Sequence, residues 1–297
     1  MFGKLRLAWI EALAQDMRRD LQQMRPPVTV LVSGYDSPEG PAFDRDGNLY
    51  FVNWLSSSIV RLTPDGVASE FFNTGGIPAG LAFHRDGSLY VADEGDDIHG
   101  VLRVFGGRAT ILVNEFAGQP LNGANDLVFD SNGVLYFSDP WRSSAENPIG
   151  GFYRLFPDGG LERIDAGLAF PNGVALRADG AAVYLAETYH NRILRYPIEP
   201  DGAVGPREDF AFLPGGEGPD GMAFDEAGNL YVAHYGGGRV AVFDPSGEMI
   251  EEIPVPGAKV TNVAFGGSDR RTLVITDVET ASIYQTRVDI PGLALFG

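Results

Sequence analysis

EGPAFDRDGNLYFVNW, Glu39 to Trp54, returns late in the chain as DGMAFDEAGNLYVAHY, Asp220 to Tyr235. Each copy reads as a short apolar strand, a polar turn with Asp and Gly, and a second apolar strand, the pattern of a β-hairpin. Four further versions are AGLAFHRDGSLYVADE (Ala79–Glu94), NDLVFDSNGVLYFSDP (Asn125–Pro140), NGVALRADGAAVYLAET (Asn172–Thr188) and TNVAFGGSDRRTLVITDV (Thr261–Val278). Their equivalent apolar residues, Phe43, Phe83, Phe129, Leu176, Phe224 and Phe265, are spaced by 40, 46, 47, 48 and 41 residues. Each hairpin leads into a third strand pattern closed by a turn, as in SIVRLTPDG and RVAVFDPSG, and usually into a fourth. Four strands recurring every ~40 to 50 residues predict a propeller blade. Six such units predict an all-β, six-bladed β-propeller with four-stranded blades.

The sixth repeat stops after its third strand, SIYQTRV (Ser282–Val288), while an unpaired strand, VTVLVSG, precedes the first. Val28 to Ser33 is therefore expected to complete the last blade and close the ring, which protects edges that an open sheet would expose. Residues 3 to 24 carry apolar residues at helical spacing and end before Pro26, so the expected organisation is an N-terminal amphipathic helix over 1–26 and a propeller over 27–297. Glu11 and Asp16 interrupt the apolar run too early for a signal-peptide core or a membrane span, which makes the cytoplasm the expected location. The apolar stripe of the helix is expected to pack on the propeller or on a second copy, giving a homo-oligomer through the helix.

A formal charge of -18 argues against nucleic acid or an anionic membrane as partner, since neither offers a counter-charge. The absence of Cys excludes disulfides, thiolate nucleophiles and zinc–thiolate sites. No G-x-S-x-G or H-E-x-x-H is present, and none of the four His has a ligand spacing. FDRDGN resembles the start of a calcium loop but occupies a hairpin turn and lacks the downstream glutamate.

In a propeller the first strand of each blade is innermost, so residues that lead into it gather at one mouth of the axial channel. Four residues before each anchor stand Glu39, Ala79, Asn125, Asn172, Asp220 and Thr261. Taken singly, such side chains often only satisfy backbone N–H groups at strand starts. Two carboxylates and two amides aimed at one axis, however, concentrate like charge that a divalent cation would offset. Glu39, Asn125, Asn172 and Asp220 are the expected metal ligands, and an all-oxygen set favours Ca²⁺, with Mn²⁺, Mg²⁺, Fe²⁺ and Zn²⁺ as alternatives. The ends of the second strands should wall the pocket: Trp54, Glu94, Trp141, Thr188, Tyr189 and Tyr235. The aromatics there can stack on a substrate ring or pack between blades. The polar series one step earlier, Asn53, Asp93, Asp139, Glu187, His234 and Asp277, is expected to brace the scaffold.

SPEGPAFD, NDLVFDSNGVLYFSDP, FPNGVALRADG, EGPDGMAFDEAGNLYVAHYGGGRV and TNVAFGGSDRRTLVIT together resemble the gluconolactonase and regucalcin (senescence marker protein) family over about residues 30 to 290. The resemblance implies a six-bladed propeller with one catalytic divalent cation on its axis and the hydrolysis of lactones or, in relatives, organophosphates. By motif it implies Glu39 of SPEGP, Asn172 of FPNG and Asp220 of GPDG as ligands, with Asn125 of GAND as a fourth ligand or a substrate contact and Asp126 as its substitute. Animal regucalcins carry an arginine two residues before that asparagine, where this chain has Gly123. The expected activity is metal-dependent opening of small sugar lactones with Asp220 as general base and a small-molecule lactone as partner. The alternatives are lipophilic or aryl lactones or phosphotriesters at the same site, or a binding scaffold without chemistry.

Overall fold

In each hairpin turn an aspartate organises the backbone. Asp44 Oδ1 accepts the N–H groups of Asp46 and Asn48 at 3.0 and 2.9 Å, and the Asn48 side-chain amide donates to Asp44 Oδ2 at 2.7 Å. Asp225 repeats the arrangement with Ala227 and Asn229. The glycine of the turn supplies the left-handed residue it needs, with φ of 81° at Gly47 and 84° at Gly228. The first aspartate of FDRDGN is thus committed to turn geometry.

The computed structural model describes residues 26–294. It contains six four-stranded antiparallel sheets, each ordered in sequence from the innermost strand outward, except that the first strand of the chain closes the last sheet. The innermost strands are Pro38–Phe43, Pro78–Phe83, Leu127–Phe129, Pro171–Leu176, Gly218–Phe224 and Val260–Gly266, opening blades I to VI. Thr29–Ser33 pairs antiparallel with Ser282–Arg287, with Thr29 opposite Gln285 and Ser33 opposite Ser282, so the ring closes where the sequence places the seam. Two short 3₁₀ turns, Trp54–Ser56 and Thr188–His190, and a two-stranded ribbon, Glu115–Phe116 with Gln119–Pro120, decorate the loops. The helix expected over 1–26, and the oligomer contact expected through it, lie outside the described residues.

The repeated phrase also encodes the packing between blades. The tyrosine of one blade's second strand meets the phenylalanine anchor of the next blade nearly perpendicularly: Tyr50 on Phe83 at 4.9 Å, Tyr90 on Phe129 at 4.8 Å, and both Tyr184 on Phe224 and Tyr231 on Phe265 at 5.0 Å. Each pair contributes about 0.5–1.5 kcal/mol beyond the area it buries. Where the anchor is Leu176, it joins the core around Tyr136 instead. At the closing seam Phe43 packs on Val274 and Ile283, together with Leu31 and Val32 from the first strand.

Glycines let the innermost strands approach one another. A Cβ on Gly40 would lie 2.2 Å from the Ala79 carbonyl oxygen, one on Gly80 2.5 Å from that of Asn125, and one on Gly173 2.2 Å from that of Asp220. At these three seams the axial residue of one blade, Ala79, Asn125 or Asp220, rests its backbone against the glycine that follows the axial residue of the preceding blade.

Candidate functional site

The start of each inner strand departs from regular pairing just where the axial residues stand. Pairing jumps from Glu39 opposite Val52 to Ala42 opposite Tyr50, and from Pro219 opposite His234 to Met222 opposite Val232. Such an irregularity re-aims side chains out of the strand's alternation. Glu39, Asp126 and Asp220 come from blades I, III and V, which share no sheet, yet the charges of Asp126 and Asp220 both act on Glu39. Carboxylates from alternate blades can meet in this way only around the axis.

The cluster is buried and electrostatically crowded. Glu39 and Asp220 are each 9% exposed and Asn172 is 5% exposed. Burial, then the charges of Asp220 and Asp126, hold the Glu39 carboxyl well above the usual range, against hydrogen bonds from Asn262 and the Gly40 N–H. Burial, then Asp126 and Glu94, do the same to Asp220, opposed by hydrogen bonds from Asn172 and the Gly221 N–H. Burial pushes Asp126 up to about 6, although its carboxylate accepts the Val174 N–H at 2.8 Å and the Leu127 N–H at 2.9 Å. Glu94 is pushed up to about 8 by burial, with Asp93 and Asp139 adding to it, and is restrained by the Asn125 side chain.

The structure brings Glu39, Asn125, Asp126, Asn172 and Asp220 into one group. The Asn125 amide nitrogen donates to Glu94 Oε1 at 2.9 Å, leaving the amide oxygen as the group available to a cation. The remaining axial residues differ. Ala79 has no donor atom, and the Thr261 hydroxyl is spent on the Pro38 carbonyl at 3.0 Å and the Thr276 hydroxyl at 2.7 Å, tying blade VI to blade I.

Two members escape a reading of the axial register alone. Asp126 and Asn262 occupy the position held by Gly40, Gly80, Gly173 and Gly221 in the other blades, and each accepts the N–H of its own successor, Leu127 or Val263. The break in that glycine series was the available signal. Glu94, placed with the pocket wall by the sequence, belongs with the carboxylates.

The expected wall residues have different surroundings. Trp54 packs on the core shared by blades I and II. The Trp141 Cβ would lie 2.8 Å from a Cβ on Gly123. Tyr189 is 46% exposed, stands against Phe170 at 5.2 Å and borders a cavity lined by Ser143 to Glu146. Tyr235 is half-buried and feels the charges of both Lys259 and Asp220. The polar series behind the wall braces the scaffold: Asp93 accepts from Ile77, Gly95 and Thr74, Asp139 from Asn122 and Gly123, and Glu187 from Ala169 and Arg192.

A divalent cation can be tested against these side chains. Among the described residues no three His, Cys, Asp or Glu side chains come together as ligands for one ion, so a site here has to draw on amide oxygens as well. One Glu39 oxygen, Oε1, is buried without a hydrogen-bond partner, which is the state of a carboxylate oxygen kept for an ion. An all-oxygen set of Glu39, Asp220, Asn125 and Asn172 fits a hard cation.

Fold and site together define a class: a six-bladed β-propeller with a buried carboxylate–amide centre on its axis. The sequence profile of the SMP-30/Gluconolactonase/LRE-like region matches residues 37–279, and the chain belongs to that family. It is 34% identical over 230 residues to lactonase drp35 of Staphylococcus aureus strain MW2, covering 74% of this chain and 70% of the relative. Among solved structures, a gluconolactonase from Xanthomonas campestris superposes with a TM-score of 0.78 at 27% identity, covering 89% of each chain. A calcium-binding regucalcin from Agrobacterium tumefaciens shares the fold, with a TM-score of 0.79 at 23% identity over 90% of this chain and 95% of its own.

Proposed function

We propose that this protein is a metal-dependent lactone hydrolase that opens small sugar lactones of the aldonolactone type at the axial site. The observation that carries the reading is the convergence of Glu39, Asn125, Asn172 and Asp220, with one Glu39 oxygen buried and unpaired. The lactonase and gluconolactonase relatives support the reaction class. Glu39, Asn125, Asn172 and Asp220 would hold one divalent cation, Ca²⁺ by the hardness of the donors. Bound there, it would supply Lewis-acid stabilisation of the charge that grows on the lactone carbonyl oxygen.

The side chains divide the remaining work. Asp220 takes the proton of a water whose oxygen adds to the carbonyl carbon. The ring C–O bond then breaks, and the same proton returns to the departing ring oxygen to give an open-chain hydroxy acid. The hydrogen bond from Asn172 orients the Asp220 carboxylate for that exchange. Glu94 fixes the Asn125 amide so that its oxygen faces the site.

Metal content of the purified protein, followed by acid release from δ-gluconolactone and a pentonolactone, tests the reading. Turnover above background that chelation abolishes and Ca²⁺ restores is expected. Inactivity across the aldonolactones with the ion bound would overturn the sugar assignment.

A second reading keeps the site and changes the substrate to an aryl lactone or a phosphotriester. It is favoured by Gly123, whose φ of 145° and tight approach to Trp141 and Glu94 leave no room for a polar side chain there. Higher kcat/KM on an aryl lactone than on any sugar lactone would decide for it.

A further inference from the structure

Two residues before the axial positions stand Ser37, Ile77, Gly123, Phe170, Gly218 and Lys259, a second ring of equivalent places at the same mouth. One of them is charged. Lys259 is the sole lysine among the described residues, and its side chain is exposed. It leads into the inner strand of blade VI, and its backbone bridges to Tyr235 at the end of the second strand of blade V. Its carbonyl accepts the Val278 N–H at 3.1 Å, which fixes the backbone on the other side. The ammonium lies 5.8 Å from the centre of the Tyr235 ring. The Tyr235 hydroxyl feels the charge of Lys259 and, in the opposite sense, those of Glu217 and the axial Asp220, so the tyrosine that neighbours the ammonium is also close enough to the axial site to sense it.

The other cations around these loops are committed. Arg142 pairs with Asp96 at 2.6 Å, Arg192 with Glu187 at 2.7 Å and Arg239 with Glu252 at 2.5 Å. Lys259 has no carboxylate at ion-pair distance among the described residues. The site behind it is acidic, with Glu39, Glu94, Asp126 and Asp220, in a chain of net charge -18. An anionic molecule would be repelled from such a mouth unless a cation received it, and a neutral ring gains little from an ammonium held there.

We infer that Lys259, braced on Tyr235, is a specificity-determining residue that receives an anionic oxygen group carried by the substrate away from its lactone carbonyl, so that the preferred substrates are acidic sugar lactones bearing a carboxylate or a phosphate. The inference deepens the lactonase reading and rests on it.

The test compares kcat/KM on δ-gluconolactone, on a lactone of glucaric acid and on 6-phosphogluconolactone for the wild-type chain, Lys259→Met and Lys259→Arg. The acidic-to-neutral ratio should fall about tenfold in Lys259→Met, through KM, and be largely kept in Lys259→Arg, and the wild-type preference should shrink as salt screens the pair. The arm with the larger loss identifies carboxylate or phosphate as the recognised group. A ratio that Lys259→Met does not move overturns the inference. Calorimetric binding of the open-chain dianion glucarate against gluconate needs no turnover. A glucarate preference that disappears in Lys259→Met supports the anion site even if no lactone is hydrolysed, in which case the lactonase reading alone falls. Equal binding of the two acids by the wild-type chain overturns the anion site and leaves the lactonase reading standing.

Discussion

Replacing Glu39 by Gln should stabilise the metal-free protein and remove its response to the metal, two effects of opposite sign from one oxygen-to-nitrogen change. In the free protein Glu39 is 9% exposed, has one oxygen without a partner and faces Asp220 and Asp126. Because its folded-state pKa is raised, the stability its carboxyl contributes is full below the unfolded value near 4.5 and is lost as pH rises through the folded value. At pH 8 the carboxylate therefore weakens the chelated fold, whereas a glutamine carries no charge and can donate to the neighbouring carboxylates. A buried, unsatisfied acceptor costs about 1–3 kcal/mol. At about 2–4 °C per kcal/mol for a chain of this size, the variant should melt roughly 2–12 °C higher in chelator. An ion present at 100 times its dissociation constant stabilises the folded state by about 2.7 kcal/mol, so Ca²⁺ should raise the wild-type Tm by roughly 5–11 °C and that of the variant by far less. Thermal unfolding followed by circular dichroism at pH 8, in chelator and across a Ca²⁺ series, reads both effects. A variant that melts at or below wild type in chelator while keeping the full Ca²⁺ shift would refute the assignment of Glu39 as a ligand under charge stress.

Asp220→Asn keeps the shape of the carboxylate and removes its basicity, so kcat/KM on the best lactone should drop by about 10²–10⁴ with the fold intact by circular dichroism; a loss smaller than tenfold would leave Asp220 without the base role. Gly173→Ala sets a Cβ 2.2 Å from the Asp220 carbonyl oxygen and 2.8 Å from the Gly221 Cα, where backbone and not a flexible side chain must yield. It should cost about 1–3 kcal/mol of stability and reduce activity by moving Asp220; a wild-type melting point would show that the inner strands are looser than they stand here. His234 is fully buried, its Nε2 at 2.7 Å from the Gly215 carbonyl, and burial followed by the Arg239 charge lowers its pKa from 6.5. The unfolded chain therefore takes up this proton first, and stability should fall as pH drops below about 6.5. His234→Gln should flatten that part of the denaturant-midpoint profile between pH 7 and 5, and an unchanged slope would rule His234 out as its source.

The ring was legible because the sequence repeats parts that most blades share: the Asx turn, the tyrosine of the second strand, replaced only by Val274 in blade VI, and the aromatic anchor it meets in the next blade. Even Leu176, which breaks the aromatic series, keeps its place because packing there needs an apolar residue of similar bulk and not a particular ring. The polar axial residues were legible for the opposite reason, since Glu39, Asn125, Asn172 and Asp220 vary at a position where the fold alone would accept Ala79. Asp126 and Asn262 were harder to see, because their significance lies in replacing a glycine whose purpose, room for the next blade's carbonyl, appears only once inner strands are side by side. Register alone does not fix the surroundings of Tyr189. It sits inside the short 3₁₀ turn Thr188–His190, which sets it against Phe170 and the Ser143–Glu146 loop, and that turn is not set by the hairpin pattern.

The same glycine contacts explain how the axis tolerates its charge. Carboxylates placed together in a soft interior would move apart or draw in water, and the cost of their repulsion would be lost as motion. Here the inner strands of blades I and II, II and III, and IV and V are wedged together through backbone atoms, so Glu39 and Asp220 are held in strands that cannot shift freely without opening seams that the tyrosine–phenylalanine pairs hold shut. Asp126 is tied further, across to the Val174 N–H of the next blade. The repulsion is therefore stored as raised proton affinity and as an oxygen left without a partner, and a cation arriving at the mouth meets ligands that need little reorganisation to receive it. Loosening a wedge, as Gly173→Ala should, ought then to weaken cation binding more than an equally destabilising cavity cut in an outer strand. Matching the two variants for melting temperature in chelator before measuring their Ca²⁺ shifts separates preorganisation from stability: equal shifts would mean that the rigid ring is incidental to the site.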